Sequence, residues 1–217
     1  MLKAHPELEP AILGTLAKDS NNVDLILSLA DRGRSLGSQD WQTRLVGSLV
    51  ADGRFDKAQA LWARFGLVPA SEMDRSQIFN RQFAQLDAPP PFNWSLTSTA
   101  AGVAEYAEGG GLHVVYYGRE TTVLASQVLR LPPGRYRLAT QVNGGGDAAK
   151  TLGWKIVCLP GRTPQLESPL YVAGGSSFVV PASGCSAQQI ELTGTMSEMP
   201  QVVDLTVGQV SLAETGN

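Results

Sequence analysis

Residues 123–142 read VLASQVLRLPPGRYRLATQV, and this stretch decides the fold of the chain. Two runs with strand-like alternation flank a Pro-Pro-Gly break, in which Pro133 presets φ for a turn and Gly134 suits the positive φ of a type II turn. Beyond the break, one face carries Tyr136, Leu138, Thr140 and Val142, and the other carries Arg135, Arg137, Ala139 and Gln141. This period of two is typical of a strand with one buried face. The stretch therefore predicts a β-hairpin with which the later strands pair.

Glycine and proline are distributed unevenly along the chain. Residues 1–88 hold only six of the 23 glycines and three of the 13 prolines, which is typical of a helical segment followed by a turn-rich β segment. No helical run separates the strands predicted after residue 90. We therefore expect a helical segment at 1–88, a stiff proline linker at 89–91 and an antiparallel β-sandwich or jelly roll at 92–217.

The helical segment contains one repeat-like pair of helices. Residues 45–66 resemble a tetratricopeptide repeat, with Gly53 at the turn, Ala58 five positions later, and the aromatics Trp62 and Phe65. The alternative is an ordinary helical hairpin. A further helix is expected from about Ser71 onward, with an apolar face that would pack on the sandwich. That face would carry Ile78, Phe79, Phe83 and Leu86.

The last predicted strand changes the parity of its apolar positions. Val203, Leu205 and Val207 share one parity, whereas Val210 and Leu212 have the other. A β-bulge at Gly208 would let all five face the core.

The β segment is similar to a known kind of domain. The run from FNW at 92–94 through VLASQVLRLPPGRYRL to LGWKIVC at 152–158, and then GCSAQQIEL at 184–192, resembles a β-sandwich that follows tetratricopeptide repeats in certain proteobacterial proteins. The resemblance covers residues 92–213. It implies a carbohydrate-binding-module-like or galactose-binding-like jelly roll in envelope or polysaccharide biology, with no defined activity and no binding residues to carry over.

Cys158 and Cys185 are the two cysteines of the chain. Parity places Cys158 inward, and Cys185 precedes a predicted strand, so a disulfide across the sandwich is possible. Two buried free thiols are the alternative. The family resemblance favours the disulfide, which would imply an oxidising compartment.

Charge and hydropathy limit the partners and the compartment. The net charge is −3 and no basic stripe is visible, so we expect no nucleic-acid partner. No apolar run approaches the roughly 18 residues that a membrane helix needs. The N-terminus lacks the apolar core of a secretory signal, which favours the cytoplasm. A disulfide would instead favour the periplasm or cell envelope, with this chain being a piece of a longer protein.

The sequence predicts no catalytic site, metal site or cofactor. Two cysteines and the distant His5 and His113 have no zinc-ligand spacing, and a Gly-x-Ser-x-Gly motif is absent. A glycosidase needs two carboxylates that face one cleft, whereas carboxylates such as Glu167 and Glu191 are scattered near turns and outer faces. We expect a non-catalytic binding or scaffold protein. The alternatives are a purely protein-binding module without a glycan ligand and a glycan-processing enzyme.

The candidate binding residues are polar or aromatic positions with outward parity. They are His113, Tyr117, Arg135, Arg137, Gln141 and Lys155. On one sheet face they would form a patch for an anionic glycan, in which arginines bind a carboxylate and Tyr117 stacks on a sugar ring. The alternative is a solvated face covered by the helical segment. The helices themselves are expected to bind a protein partner.

Overall fold

The structure, a computed structural model, describes residues 8–33, 40–65, 77–86 and 88–215. The chain divides into two compact units, Met1–Val68 and Pro69–Asn217. The described α-helices lie in the first unit and the described strands in the second. The predicted fold class, a short helical segment followed by an antiparallel β-sandwich, is therefore confirmed.

The described part of the helical unit contains four α-helices. They are α1 Glu9–Leu16, α2 Val23–Gly33, α3 Asp40–Ala51 and α4 Phe55–Phe65, with a 3-10 turn at Ser20–Asn22. Helices α3 and α4 form the hairpin predicted at 45–66, and Gly53 takes a φ of 71° at their turn, which favours glycine. The rings of Trp41 and Phe65 meet edge-on with centroids 5.4 Å apart. The tetratricopeptide assignment of this hairpin stays a prediction.

The sandwich consists of two antiparallel sheets. The five-stranded sheet has the order β1 Ser95–Leu96, β5 Thr122–Leu129, β10 Ala187–Gly194, β7 Leu152–Leu159 and β8 Thr163–Pro169. The six-stranded sheet has the order β2 Ser98–Thr99, β3 Gly102–Tyr106, β4 Leu112–Tyr116, β11 Val203–Glu214, β6 Gly134–Gly144 and β9 Ser176–Val180. Both inner faces are lined by buried apolar residues, and Trp94 and Trp154 meet in this core with ring centroids 6.0 Å apart.

The hairpin predicted at 123–142 is wrong, although both of its strands exist. Strand β5 already pairs with β1 and β10, and β6 pairs with β11 and β9, so neither has a free edge for the other. The Pro-Pro-Gly break instead carries the chain from one sheet to the other. Two hydrogen bonds hold this corner: the Leu131 N–H donates to Gln188 Oε1 (2.8 Å), and the Tyr136 hydroxyl donates to the Pro132 carbonyl (2.8 Å).

The helix predicted through residues 77–86 is also wrong in the described residues, and Ser71 lies outside them. This segment, called the strap below, is irregular. The Asn80 amide side chain accepts from the Ala84 N–H (2.7 Å) and donates to the Ala84 carbonyl (2.8 Å), which competes with helical bonding. Asn80 and Phe83 have φ values of 52° and 53°, outside the right-handed helical region.

The strap belongs to the sandwich unit and contributes to its core. Ile78 and Phe83 are buried among the core residues of the two sheets, whereas Leu86 is 43% exposed. The Val210 N–H on β11 donates to the Arg81 carbonyl (2.9 Å). Ile78 and Phe83 therefore pack on the sandwich as predicted, although in an irregular segment in place of a helix, and the prediction is wrong for the exposed Leu86.

Two local predictions concern the last strand and the cysteines. The pairing of β11 with β6 shifts register between Val207 and Gln209, which confirms the β-bulge at Gly208. Cys158 and Cys185 form a disulfide. The expectation that this disulfide connects the two sheets is wrong. The bond joins Cys158 on β7 to the segment that enters β10, and β7 and β10 are neighbours in one sheet. None of the described helices is long and apolar enough to span a membrane.

Candidate functional site

The six predicted binding residues do not share one face. His113 lies on β4 of the six-stranded sheet, with Tyr117 directly after this strand, and Arg135, Arg137 and Gln141 lie on β6. Lys155 lies on β7 of the other sheet. The expectation that Lys155 neighbours the arginines is wrong because the chain changes sheets between β5 and β6 and again before β7.

On the six-stranded sheet, Tyr117 and Arg137 are far apart, whereas His113 and Gln141 lie opposite the nearby β11 residues Thr206 and Gln209. Strand β11 lies between β4 and β6, so its register gives the distance between residues on those two strands. Val203 is opposite Tyr116, and Ala213 is opposite Arg137. Val203 and Ala213 are ten residues apart, which corresponds to roughly 33 Å of extended strand. Tyr117 and Arg137 therefore cannot bind the same sugar ring.

His113 is engaged by two carboxylates. Its Nδ1 lies 3.1 Å from Glu105 Oε1 on β3, and its Nε2 lies 3.0 Å from Asp204 Oδ1 on β11. The hydrogen bonds with Glu105 and then Asp204 raise the pKa of His113, while partial burial opposes this change. Because both ring nitrogens have protein partners, His113 joins three strands and has no free nitrogen for a ligand.

Arg135 and Arg137 remain available for a ligand. Both side chains are exposed on β6, and neither forms an ion pair with a residue in the described part of the chain. Arg137 packs over Gly175, with its Cγ 3.0 Å from where a Cβ would be placed. An anion site at these two arginines stays a prediction, separate from Tyr117, His113 and Lys155.

A groove opens on the five-stranded sheet, at one end of β7, β8 and β10. Its volume is about 390 Å³, within the range of small-ligand sites. Gly153 and Lys155 have outward parity because Trp154, which lies between them, faces the core. Thr193 has outward parity because the preceding Leu192 faces the core. Five of the residues that line the groove carry hydroxyl groups: Thr121, Thr151, Ser168, Thr193 and Thr195. The groove thus combines concave shape with closely spaced hydrogen-bonding groups.

Two cross-strand rows build the groove. Thr193, Gly153 and Pro169 lie opposite one another in the first row, and the Thr193 hydroxyl donates to the Gly153 carbonyl (3.1 Å). Gly153 leaves this row without a central side chain. A Cβ there would lie 2.6 Å from the Ser168 carbonyl oxygen, so β8 approaches closely only because residue 153 is glycine.

The second row is ionic. Glu191, Lys155 and Glu167 lie opposite one another on β10, β7 and β8. Lys155 Nζ is 2.9 Å from Glu167 Oε1, and these side chains are 33% and 65% exposed. Glu191 is only 5% exposed and its Oε1 lies 2.6 Å from Arg162 Nη2. The Lys155–Glu167 pair is therefore accessible from the groove, whereas Glu191 is buried beneath the exposed Arg162 side chain.

A third ion pair stands at the rim of the groove. Lys150 Nζ lies 2.8 Å from Asp147 Oδ1, and both side chains are solvent-exposed. The hydrogen bond with Lys150 lowers the pKa of Asp147, and the same bond raises the pKa of Lys150. Among the described residues, no group of three or more His, Cys, Asp or Glu side chains is placed to hold a metal ion.

Lys155 is one of the binding residues predicted from the sequence, but the groove around it was not predicted. The outward parity of Lys155, Glu167 and Thr193 was visible in the sequence. Their juxtaposition depends on the strand order β10–β7–β8 and its register, which alternation along single strands does not encode.

No protein-family model matches the chain, and no curated protein matches its sequence. Among solved structures, the chain is similar to accessory secretory protein 1, 2 and 3 of Streptococcus pneumoniae, with 12% identity and a TM-score of 0.41 over 55% of this chain and 89% of that chain. It is similar to the glycosylation-associated Gap123 complex of Streptococcus agalactiae, with 14% identity and a TM-score of 0.39 over 54% of this chain and 40% of that chain.

A third similar structure is a carbohydrate-binding module from Cellvibrio mixtus lichenase 5A in complex with cellotriose. The identity is 12% and the TM-score 0.34, over 55% of this chain and 92% of that chain. At these identities and TM-scores, function has to be argued from this chain's own geometry.

Proposed function

We propose that the β-sandwich is a non-catalytic glycan-binding domain whose site is the groove on the five-stranded sheet. The observation that carries this proposal is a concavity of about 390 Å³ whose lining includes five serine and threonine residues and the accessible Lys155–Glu167 pair. The volume and polar lining suit a short segment of a sugar chain. The helical unit would then serve a second, separate binding role.

Sugar recognition suits this lining because each sugar hydroxyl both donates and accepts hydrogen bonds. Threonine and serine hydroxyls do the same, Lys155 offers donors, and Glu167 offers acceptors. Pro169 adds an apolar surface at the end of the first row, against which the C–H face of a sugar ring can pack. Such a mixture of apolar surface and a few oriented polar groups is typical of small-ligand sites.

Binding fits the groove better than hydrolysis does. Glycosidases generally use two carboxylates on opposite sides of the scissile bond. Glu167 is the one carboxylate among the described residues that line the groove. The neighbouring Glu191 lies beyond Lys155, buried and paired with Arg162, so it is not free to act as an acid or base.

A protein partner for the helical unit is favoured by one specific surface. An open apolar groove of about 340 Å³ runs along α1 and is lined by Leu8, Ala11, Ile12, Thr15 and Leu16. Leu8 and Ile12 are 48% and 37% exposed. Exposed apolar surface of this kind commonly marks a protein-binding site. We therefore propose a two-part scaffold, in which tetratricopeptide-like helices bind protein and the sandwich binds glycan.

The disulfide supports an oxidising location for this scaffold, namely the periplasm or the cell envelope. Disulfides persist in such compartments and are rare where thiols are kept reduced. A role in polysaccharide assembly at the envelope would bring both proposed partners to one place.

Calorimetric titration of the full chain against a panel of neutral and acidic oligosaccharides tests the proposal. We expect at least one glycan to bind with a Kd of about 1 mM or tighter. Thr195→Trp places a large side chain in the groove and should abolish that binding. Thr163→Trp is the matched control, because Thr163 is an exposed threonine on the same sheet outside the groove lining. Failure of every glycan to bind, or equal binding by both variants, would overturn the proposal.

A further inference from the structure

The ionic groups around the groove are paired within the protein. Lys155 contacts Glu167, Lys150 contacts Asp147, and Arg162 contacts Glu191, with separations of 2.9, 2.8 and 2.6 Å. Each cation therefore already has a carboxylate partner. Glu191 is also directly opposite Lys155 in the sheet register, so Lys155 lies between two carboxylates.

This balance disfavours an anionic ligand. A carboxylate or sulfate on a sugar would either displace Glu167 from Lys155 or bind Lys155 beside it, and in both cases two negative charges would lie close together. A neutral ligand displaces only water from the exposed pair. Lys155 is only 33% exposed, so repulsion between Glu167 and a bound anion is screened less there than at an open surface, and we expect the groove to prefer an uncharged ligand.

We infer that the groove binds an uncharged sugar through a vicinal diol held between Lys155 and Glu167. This inference rests on the proposed glycan-binding function and names the ligand class. The ion pair uses Glu167 Oε1 and one Lys155 N–H, which leaves Oε2 and two N–H groups free. One sugar hydroxyl donates to the carboxylate, and the adjacent hydroxyl accepts from the ammonium.

Two single substitutions distinguish a bound diol from a bound anion, because the two ligands predict opposite changes in binding affinity for Glu167→Gln. Lys155→Met keeps the aliphatic stem and removes the charge, and Glu167→Gln keeps the shape. If a diol bridges both groups, each substitution weakens binding roughly tenfold to a hundredfold, because a hydrogen bond to a charged group is lost. If Lys155 instead binds an anion, Glu167→Gln strengthens binding by removing its competitor.

The probes are neutral trisaccharides and matched acidic ones, titrated into the full chain. The neutral set is cellotriose, mannotriose, xylotriose and galactotriose, and the acidic set is trigalacturonate, triglucuronate and trimannuronate. We expect a neutral probe to bind at least about tenfold more tightly than the acidic probes, with an affinity that changes little with salt. Thr163→Trp, on the same sheet outside the groove lining, should bind like the wild-type chain.

Each result has a defined consequence. Tighter binding of an acidic probe, together with a gain in affinity for Glu167→Gln, would overturn the diol while leaving glycan binding intact. Neutral binding that survives both substitutions would remove Lys155 and Glu167 from the site. Failure of all seven probes and of the wider glycan panel would instead overturn the proposed function itself.

Discussion

At the scale of single residues, His113 shows how a polar outer face can stabilise the sheet beneath it. Its two ring nitrogens contact Glu105 and Asp204 on the neighbouring strands β3 and β11. Protonated His113 thus places one positive charge between two negative ones across three adjacent strands. Opposite charges on neighbouring strands contribute modestly to sheet stability.

The raised pKa of His113 predicts a pH-dependent contribution to stability. A group whose pKa is higher in the folded state stabilises the fold fully below its unfolded pKa of 6.5 and loses that contribution as pH rises through the folded value. His113→Gln should therefore lower the thermal midpoint more at about pH 6 than at about pH 8.5. The difference should correspond to less than about 1 kcal/mol, because the site is partly solvated.

Titration of the imidazole signals by NMR checks the cause of this effect. The His113 pKa should lie above 6.5 in the wild-type chain and fall in Glu105→Gln. A wild-type pKa at or below 6.5, or a loss of stability in His113→Gln that does not vary with pH, would contradict the role assigned to the two carboxylates.

At the scale of elements, the strap predicts a sharp contrast between two nearby apolar residues. Phe83 is fully buried in the sandwich core, whereas Leu86 is 43% exposed. Phe83→Ala should lower the free energy of unfolding of the sandwich by about 3–5 kcal/mol. Leu86→Ala, the matched control, should change it by less than about 0.5 kcal/mol. Hydrogen exchange of the β5 and β11 amides, read by mass spectrometry, reports on this unit alone.

Equal effects of the two substitutions would indicate that the strap does not occupy the position described. They would be expected if Phe83 and Leu86 lay together on one face of a helix, as their spacing suggests. The irregular strap and that helix therefore make opposite predictions for Leu86.

Element types were predictable where alternation and turn chemistry agree. The long strands around 134–144 and 203–214 follow from their period of two, and the parity change before Val210 identified the bulge at Gly208. The helix predicted in the strap is wrong because the spacing of Phe79, Phe83 and Leu86 matches the helical period although the segment is irregular. The Asn80 side chain bonds that oppose helix formation there depend on a conformation that periodicity does not report.

At the scale of the whole molecule, the disulfide links chain stability to compartment. It closes a loop between residues separated by 27 positions, which is worth roughly 3.5 kcal/mol in the chain-entropy model. Alkylation without reductant should add no label to the denatured chain, and alkylation after reduction should add two. Replacing both cysteines by serine should lower the free energy of unfolding by about that amount. Two labels on the unreduced protein would contradict both the bond and the oxidising compartment.

The binding face was less predictable than the fold. The alternation along each strand placed His113, Arg137 and Lys155 correctly on outer faces. The chain changes sheets at the Pro-Pro-Gly corner, however, and a hairpin at this position would show the same alternation. Which outward residues become neighbours is decided by strand order. The groove arises where β7 meets β8 and β10, and pairings of this kind between distant segments cannot be read from local periodicity.

The most direct test of glycan binding is the mapping of amide chemical shifts in the full chain during titration with the tightest-binding trisaccharide of the neutral set. The account predicts that the perturbed amides cluster at the groove, including Gly153, Lys155, Glu167 and Thr193, and that Thr195→Trp removes these changes. Perturbations confined to the β4 and β6 face, around His113 and Arg137, or the absence of any saturable change, would contradict it.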